Sequence, residues 1–301
     1  MDHLQPQCCT EPYMLGIDEA GRGPVLGPMV YACALSPISK SDDLRVLGLA
    51  DSKTLTEHQR ESLLARMLQH TDWLVGAVRV ISPWFITEKM LGRCKTSLNV
   101  ISHDAAIGLI QAALDKAVNV KEVYVDTVGK AEHYEAKLQA LFPKLKICVE
   151  SKADDTYPIV SAASIFAKVT RDRLLQLWPM NERGPVSDSL PVGSGYPGDP
   201  LTKHYLRQCV DPLFGFPSLV RSSWSTARTI LEKSGVKITW DDDEDQEKAL
   251  DAKHAARKRV LTEGSYKLDG FYTIQERDNK KASIRQSYFI RSALIHVDKF
   301  S

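Results

Sequence analysis

Short apolar runs and apolar stripes at helical spacing alternate along the chain. The apolar runs predict five β-strands, at residues 13–17, 25–35, 73–81, 122–126 and 145–150. The first two runs are separated only by a short, turn-rich stretch, so we expect them to form an antiparallel hairpin in one sheet.

Apolar residues that recur every three or four positions predict the helices. The first helix begins at a capping box, in which Thr56 is followed three residues later by Gln59. Further helices are predicted at residues 98–118, 131–141, 159–177, 202–209 and 224–233. Strands and helices alternate up to residue 150, which indicates an α/β fold with some parallel pairing. Residues 181–200, rich in Gly, Pro and Ser, predict a loop.

The composition is that of an ordinary globular protein, with 43% hydrophobic and 26% charged residues. Its 301 residues suffice for one large domain or two modest ones. No apolar run reaches the roughly 18 residues of a transmembrane helix, and residues 1–12 lack the pattern of a secretory signal. We therefore expect no association with membranes. The net charge of +1 neither favours nor opposes binding to nucleic acid, because Lys and Arg can gather on one face.

The six cysteines do not occur at spacings typical of zinc ligands. Free cysteines are most often buried, so we expect buried, reduced thiols. Reduced thiols indicate an intracellular, reducing compartment.

Acidic residues stand at the ends of three predicted strands. Asp18 and Glu19 close the first strand, Asp126 closes the fourth, and Asp154 follows the fifth. Ligands of open α/β sheets gather at the carboxyl ends of the strands. Carboxylates that converge there repel one another unless cations are present, and Mg²⁺ or Mn²⁺ suits a site made of carboxylates. Each acid taken alone is also explained as a turn residue or a helix cap, and the spacing does not prove that they converge.

A glycine-rich loop follows the first acidic pair. Gly21 and Gly23 flank Arg22, so the backbone can approach a ligand closely while presenting N–H groups and a guanidinium. An ordinary glycine-rich turn explains the loop equally well. It is neither a P-loop nor a dinucleotide fingerprint, because the residues those motifs require do not follow.

The sequence resembles the type 2 ribonucleases H, also called ribonuclease HII, over about residues 13–232. The segment from Ile17 to Pro28 resembles the signature of that family. The other matching segments are 51–53, 99–104, 125–129, 152–154, 161–168, 171–172 and 193–200. Residues 211–217 and 220–226 resemble the catalytic subunit of the eukaryotic enzymes, and Arg22 argues against the related type 3 enzymes.

The resemblance implies a ribonuclease H-like fold, in which helices flank a mixed sheet, with a helical C-terminal extension. We accordingly expect an N-terminal tail at 1–12, a catalytic domain at 13–178 and a helical domain at 179–235. Residues 236–301 carry an acidic run followed by a basic cluster, and like-charged blocks resist packing. They are predicted to be a charged linker and tail that would help to dock partner subunits.

The resemblance also implies the roles of individual residues. It assigns catalysis and the binding of two Mg²⁺ or Mn²⁺ ions to Asp18, Glu19, Asp126 and Asp154. Recognition of the ribose 2′-OH is assigned to Gly21, Arg22 and Gly23, and stacking near the sugar to Tyr196. Lesser contacts with substrate are implied for Lys53, Asn99 and Arg171, for which a surface or structural role is equally open. An unexpected second acid, Asp155, follows Asp154, and the spacing to the next matching segment favours Asp154 as the ligand.

The implied activity is endonucleolytic hydrolysis of the RNA strand of RNA–DNA hybrids, and cleavage 5′ of ribonucleotides embedded in duplex DNA. The implied products carry 5′-phosphate and 3′-OH ends. By resemblance we also expect a heterotrimer with two non-catalytic subunits, a nuclear location, and a part in replication and ribonucleotide repair.

Two other functions compete with this interpretation. Another nuclease of the same fold, such as a junction resolvase, would share the acids but would not need Arg22 or Tyr196. A non-catalytic subunit that only binds hybrids would be favoured if an acid were missing, and all four are present.

Overall fold

Five strands form one mixed sheet in the computed structural model, which describes residues 10–49, 55–178 and 191–236. The strand order is β3-β2-β1-β4-β5, and the strands are β1 (Tyr13–Ala20), β2 (Met29–Pro37), β3 (Val75–Ile81), β4 (Val120–Asp126) and β5 (Lys146–Glu150). β2 is antiparallel to both β1 and β3, whereas β1, β4 and β5 run parallel. The five predicted strands, the first hairpin and the α/β class are therefore confirmed.

The second strand begins four residues later than predicted. Residues 25–28 leave the sheet, and the backbone N–H groups of Val25 and Gly27 donate hydrogen bonds to the carbonyls of Gly195 and Leu219. Apolar residues in this segment thus pack against the C-terminal helices, a tertiary contact that the local pattern did not reveal.

In the described residues, helices flank the sheet, and further helices follow its last strand in the sequence. They are α1 (Ser41–Val46), α2 (Glu57–Met67), α3 (Pro83–Leu91), α4 (Leu98–Asp115), α5 (Ala131–Leu141), α6 (Ala153–Thr156), α7 (Pro158–Gln176), α8 (Pro200–Cys209) and α9 (Ser225–Ser234). The capping box of Thr56 and Gln59 forms as predicted at the start of α2. The helices α1, α3 and α6 were not predicted. The start signal of α3 is nevertheless present in the sequence: Ser82 accepts a hydrogen bond from the Phe85 N–H, and Pro83 follows.

The core lies on both faces of the sheet. Leu15 and Ile17 of β1 pack in the cluster that contains α4 and α5, whereas Met14 packs in the cluster that contains α7. Successive side chains of a strand point to opposite faces, which explains this division. Full burial of a leucine or isoleucine side chain contributes about 1.5–3 kcal/mol, so both faces of β1 stabilise the fold.

The helix α7 runs unusually close to the sheet because β1 has a glycine where they meet. A Cβ added at Gly16 would lie 2.4 Å from the carbonyl oxygen of Ile159. This close approach places the first turns of α7, which follow Asp154, directly beside β1.

The C-terminal helices form a separate hydrophobic cluster with the loop between β1 and β2. Val25 and Leu26 pack against Tyr205 and Leu206 of α8 and against Ile230 of α9. The helical character predicted for this region is present in residues 191–236. Where the catalytic domain ends and the helical domain begins stays a prediction.

The described residues also give findings on hydropathy and on the cysteines. None of their helices combines the length and the hydropathy that crossing a membrane requires. Cys33, Cys94, Cys148 and Cys209 are free thiols. Cys33 and Cys209 are buried as predicted, and Cys148 is half-buried. The prediction is wrong for Cys94, which is exposed, and Cys8 and Cys9 lie outside the described residues.

Candidate active site

The predicted acidic residues converge at the carboxyl ends of the parallel strands. Ile17 pairs with Val125 in the parallel register, so the acids that follow them, Asp18 and Asp126, stand next to each other. Both point to the face covered by α7, because Ile17 and Val125 pack on the opposite face. The local reason is the strand pattern itself, in which a buried apolar residue precedes each acid.

Asp154 reaches the same edge through a tight turn after β5. Lys152 adopts a left-handed backbone conformation with φ of 60°, and the short helix α6 begins at the next residue. The backbone N–H of Ala153 then donates a 3.0 Å hydrogen bond to Oδ1 of Asp126. Asp154 is 2% exposed, whereas Asp155 faces solvent, so burial also favours Asp154 as the site residue.

The carboxylates act on one another electrostatically. Burial raises the pKa of Asp18 to about 7; the charges of Asp126 and Asp154 add to the increase, and a hydrogen bond from Ser164 opposes it. Burial and the charges of Asp18 and Asp126 raise the pKa of Glu19 to about 8. Without a cation, the site therefore disfavours the ionised form of its own acids.

The donor set fits hard divalent cations. Every predicted ligand is a carboxylate, and Oε2 of Glu19 is buried without a hydrogen-bond partner among the described residues. In the described ranges, no three His, Cys, Asp or Glu side chains form a ready-made cage for an ion. Mg²⁺ does not need one, because it usually binds one or two carboxylates and completes its shell with water and substrate phosphates.

The glycine-rich loop lies beside the acids and is held by Arg171 of α7. Gly21 has φ of 78°, and a Cβ added there would lie 2.1 Å from Nε of Arg171. The guanidinium of Arg171 donates hydrogen bonds to the carbonyl oxygens of Pro28 at 3.3 Å and Leu26 at 3.2 Å. Burial lowers the pKa of Arg171 below its usual value. Arg171 therefore stabilises the loop through hydrogen bonds to its backbone.

The remaining predicted substrate residues surround this loop. Arg22 donates a hydrogen bond to Oδ1 of Asn99, at the start of α4. A Cβ added at Gly23 would lie 3.2 Å from the ring of Tyr196, and that ring is 53% exposed. The structure thus brings Asn99 and Tyr196 to the loop, whereas Lys53 lies outside the described residues.

Several side chains that were not predicted from the sequence support the site. Ser164 of α7 acts on Asp18, and Tyr31 of β2 pairs in register with Glu19. Arg221 and Trp224 donate hydrogen bonds to backbone carbonyls of the glycine-rich loop. Both belong to a segment noted for its resemblance to the eukaryotic enzymes, but no local pattern reveals a contact about 200 residues away in the chain.

Clustered carboxylates at one edge of a mixed sheet are typical of metal-dependent nucleases. The family model described as Ribonuclease HII matches residues 15–227, a stretch that contains every site residue considered above. The chain therefore belongs to the ribonuclease HII family, and it is an endonuclease of the hydrolase class. This assignment sets aside the junction resolvase and the non-catalytic subunit.

Individual relatives agree with the family. The A subunit of ribonuclease H2 from Mus musculus is 55% identical over 240 residues, 80% of this chain and 79% of that protein. The corresponding protein of Arabidopsis thaliana is 47% identical over 277 residues, 92% of this chain and 90% of that protein. The crystal structure of the ribonuclease H2 from Pyrococcus horikoshii superposes with a TM-score of 0.59 at 36% identity, covering 73% of this chain and 98% of that one. The predicted ribonuclease H-like fold and the resemblance to the eukaryotic enzymes are thereby confirmed.

Proposed function

We propose that this protein hydrolyses the RNA strand of RNA–DNA hybrids and cuts 5′ of ribonucleotides embedded in duplex DNA. The observation that carries the proposal is the position of the Gly21–Gly23 loop, which adjoins the carboxylate cluster at the end of β1. The loop proposed to recognise the sugar thus lies next to the carboxylates proposed to take part in cleavage of the phosphodiester. Products would carry 5′-phosphate and 3′-OH ends, because the 2′-OH is recognised and does not act as the nucleophile.

Asp18, Glu19, Asp126 and Asp154 would hold two Mg²⁺ or Mn²⁺ ions. When bound, the ions would neutralise the carboxylates, activate a water molecule for attack on phosphorus and stabilise the leaving 3′-oxygen. The hydrogen bond from the Ala153 N–H to Asp126 fixes one carboxylate before any ion binds. The burial of Asp18 and Asp154 limits the rotamers available to those side chains.

Recognition of the ribose rests on the chain's own polar groups. The loop from Gly21 to Gly23 would offer its backbone N–H groups as donors to the sugar, and the two glycines permit the backbone conformation that presents them. The hydrogen bond to Asn99 restricts the orientation of the Arg22 guanidinium. The exposed ring of Tyr196, which lies against Gly23, is available to stack on the sugar. A site built around a hydroxyl is left with unpaired polar groups when DNA lacks it, which supports strong discrimination.

The eukaryotic relatives are each named as one subunit of ribonuclease H2, which supports a further part of the proposal, a heterotrimer with two non-catalytic subunits. Residues 236–301, of which all but Val236 lie outside the described residues, would help to dock them. A nuclear location and a part in primer removal and ribonucleotide repair follow from the proposed substrates.

The test uses a labelled DNA duplex with one embedded ribonucleotide and the full chain, alone and with the partner subunits. Control reactions contain an all-DNA duplex, a chelator, or the Asp126→Asn variant. We expect a cut 5′ of the ribonucleotide that is absent from all three controls. No cleavage in the presence of the partners and Mn²⁺ would refute the proposed activity.

A further inference from the structure

Arg221 is a fully buried cation. Within the described residues, its side chain donates its hydrogen bonds to the glycine-rich loop between β1 and β2. Its side chain is 0% exposed. Nε donates to the carbonyl oxygen of Gly27 at 2.8 Å, Nη1 to that of Arg22 at 3.1 Å, and Nη2 to that of Gly21 at 2.5 Å. Three carbonyls of one loop are therefore bound by a single planar guanidinium.

Trp224 completes this arrangement from the same segment. Its ring lies 4.9 Å from the guanidinium carbon of Arg221, a cation–π contact. Its indole Nε1 donates a 3.0 Å hydrogen bond to the carbonyl oxygen of Gly23. The two side chains together bind the carbonyls of all three residues in the Gly21–Gly23 motif.

These contacts set the direction of the loop's N–H groups. The described residues contain no cis peptide bond, and in a planar trans peptide the C=O and the following N–H point in opposite directions. Because the carbonyls of Gly21 and Arg22 point toward Arg221, the N–H groups of Arg22 and Gly23 point away from it. Tyr196, the residue proposed to stack on the sugar, lies beside Gly23, since a Cβ added there would be 3.2 Å from its ring.

Burial of an arginine is less favourable than burial of an apolar side chain of similar volume. Desolvation of a charge costs several kcal/mol, and an apolar side chain of similar volume often packs as well or better. Burial and the neighbouring charge of Arg171 lower the pKa of Arg221 to about 9, which leaves it charged at neutral pH. An apolar residue lacks the planar set of N–H donors with which a guanidinium binds several carbonyls at once.

We propose that Arg221 and Trp224 are positioning residues for ribose recognition, which hold the carbonyl side of the Gly21–Gly23 loop so that its N–H side faces the sugar. This inference rests on the proposed function, since it assumes that the loop reads the 2′-OH. Neither residue touches the substrate; both act through the loop.

The test measures preference for a ribonucleotide rather than activity. All proteins carry Asp126→Asn to prevent cleavage, and the full chain is used with its partner subunits and Mg²⁺. The dissociation constant is measured for an all-DNA duplex and for the same duplex with one ribonucleotide. The first constant divided by the second gives the preference for the ribonucleotide. Partial unfolding raises both apparent constants by the same factor and leaves their ratio unchanged. The ratio therefore separates positioning from mere stability.

Arg221→Met removes every donor, Arg221→Lys keeps the charge without the planar set of donors, and Trp224→Phe keeps a ring but loses the bond to Gly23. We expect the ratio to fall about tenfold for Arg221→Met, the change in affinity that corresponds to roughly one lost hydrogen bond between the loop and the 2′-OH. Arg221→Lys should be intermediate, and Trp224→Phe should show a smaller loss. The control Ile230→Ala, in the same hydrophobic cluster, should lower stability and keep the ratio.

The outcomes separate the two proposals. If the Asp126→Asn reference itself shows no preference for the ribonucleotide, the proposed function fails. If the reference prefers it and the Arg221 and Trp224 variants keep the same ratio, the positioning roles are refuted. Should Arg221→Met fail to fold, Trp224→Phe and Arg221→Lys still decide the question.

Discussion

The guanidinium of Arg22 donates a hydrogen bond to the side-chain carbonyl of Asn99, which lies 77 residues away in the sequence. Asn99 is the second residue of α4, and α4 packs on the sheet through a buried stripe that includes Ile101 and Ala105. The orientation of Arg22 is therefore tied to a rigid element of the core rather than to its own loop.

This relationship predicts that Asn99 and Arg22 act as a unit. We expect Asn99→Ala to lower kcat/KM on a single-ribonucleotide duplex about tenfold, the effect of roughly one charge-assisted hydrogen bond. In a double-mutant cycle with Arg22→Ala, the combined loss should be clearly smaller than the sum of the single losses. Additive losses would show that the two side chains contribute independently.

The raised pKa values of Asp18 and Glu19 predict a stability that falls with rising pH when divalent ions are absent. Folded values of about 7 and about 8 exceed the usual carboxyl values, so between about pH 4 and pH 8 the folded state binds more protons than the unfolded state. The contribution of these two groups to stability is thus complete below about pH 4 and is lost as pH rises through the folded values, by at most about 1.4 kcal/mol per pH unit per group.

Thermal melts in chelator from pH 5.5 to 8.5 measure this slope. Asp18→Asn should flatten the slope and raise the melting temperature at pH 8, whereas the exposed control Asp155→Asn should leave the slope unchanged. Mg²⁺ should raise the melting temperature more at pH 8 than at pH 6. Equal slopes in wild type and Asp18→Asn would contradict the electrostatic coupling.

The pair Asp154 and Asp155 provides a matched test of which acid serves the site. Asp154 is buried at the sheet edge and its charge acts on Asp18, whereas Asp155 faces solvent. We expect Asp154→Asn to lower cleavage roughly a hundredfold or more, beyond the range typical of groups that only support a metal site, and Asp155→Asn to change it less than about twofold. Steady-state cleavage assays at saturating Mg²⁺ decide this, and a larger effect at Asp155 would reverse the assignment.

Gly21 is predicted to be intolerant of any side chain. In Gly21→Ala the new Cβ would meet Nε of Arg171 at 2.1 Å and the carbonyl oxygen of Pro28 at 2.8 Å, in a backbone conformation with φ of 78°. The control Gly48→Ala shares a positive φ of 65° but meets nothing within 4 Å, so it isolates the backbone cost of about 1 kcal/mol. We expect Gly21→Ala to lose clearly more stability and nearly all cleavage. Equal unfolding free energies for the two variants would show that the loop can shift at little cost.

Most of the elements and the chemical character of the site follow from local patterns in the sequence. The capping box at Thr56 and the apolar runs act locally, because hydrogen bonding and burial within a few residues decide them. The position of Asp126 at the end of an apolar run likewise predicted an acid at a strand end. The cap at Ser82 that begins α3 is a local signal of the same kind.

Which residues meet depends instead on how distant segments of the chain pack together. The acids come together because Ile17 pairs with Val125 and because a turn at Lys152 returns Asp154 to the same edge, and sheet register depends on the packing of the whole core. Val25 and Leu26, at the beginning of the predicted second strand, lie outside the sheet because they pack against the C-terminal helices. Arg221 likewise donates hydrogen bonds to a loop about 200 residues earlier in the chain. Contacts between distant segments follow from the summed burial of many side chains, which no local pattern encodes.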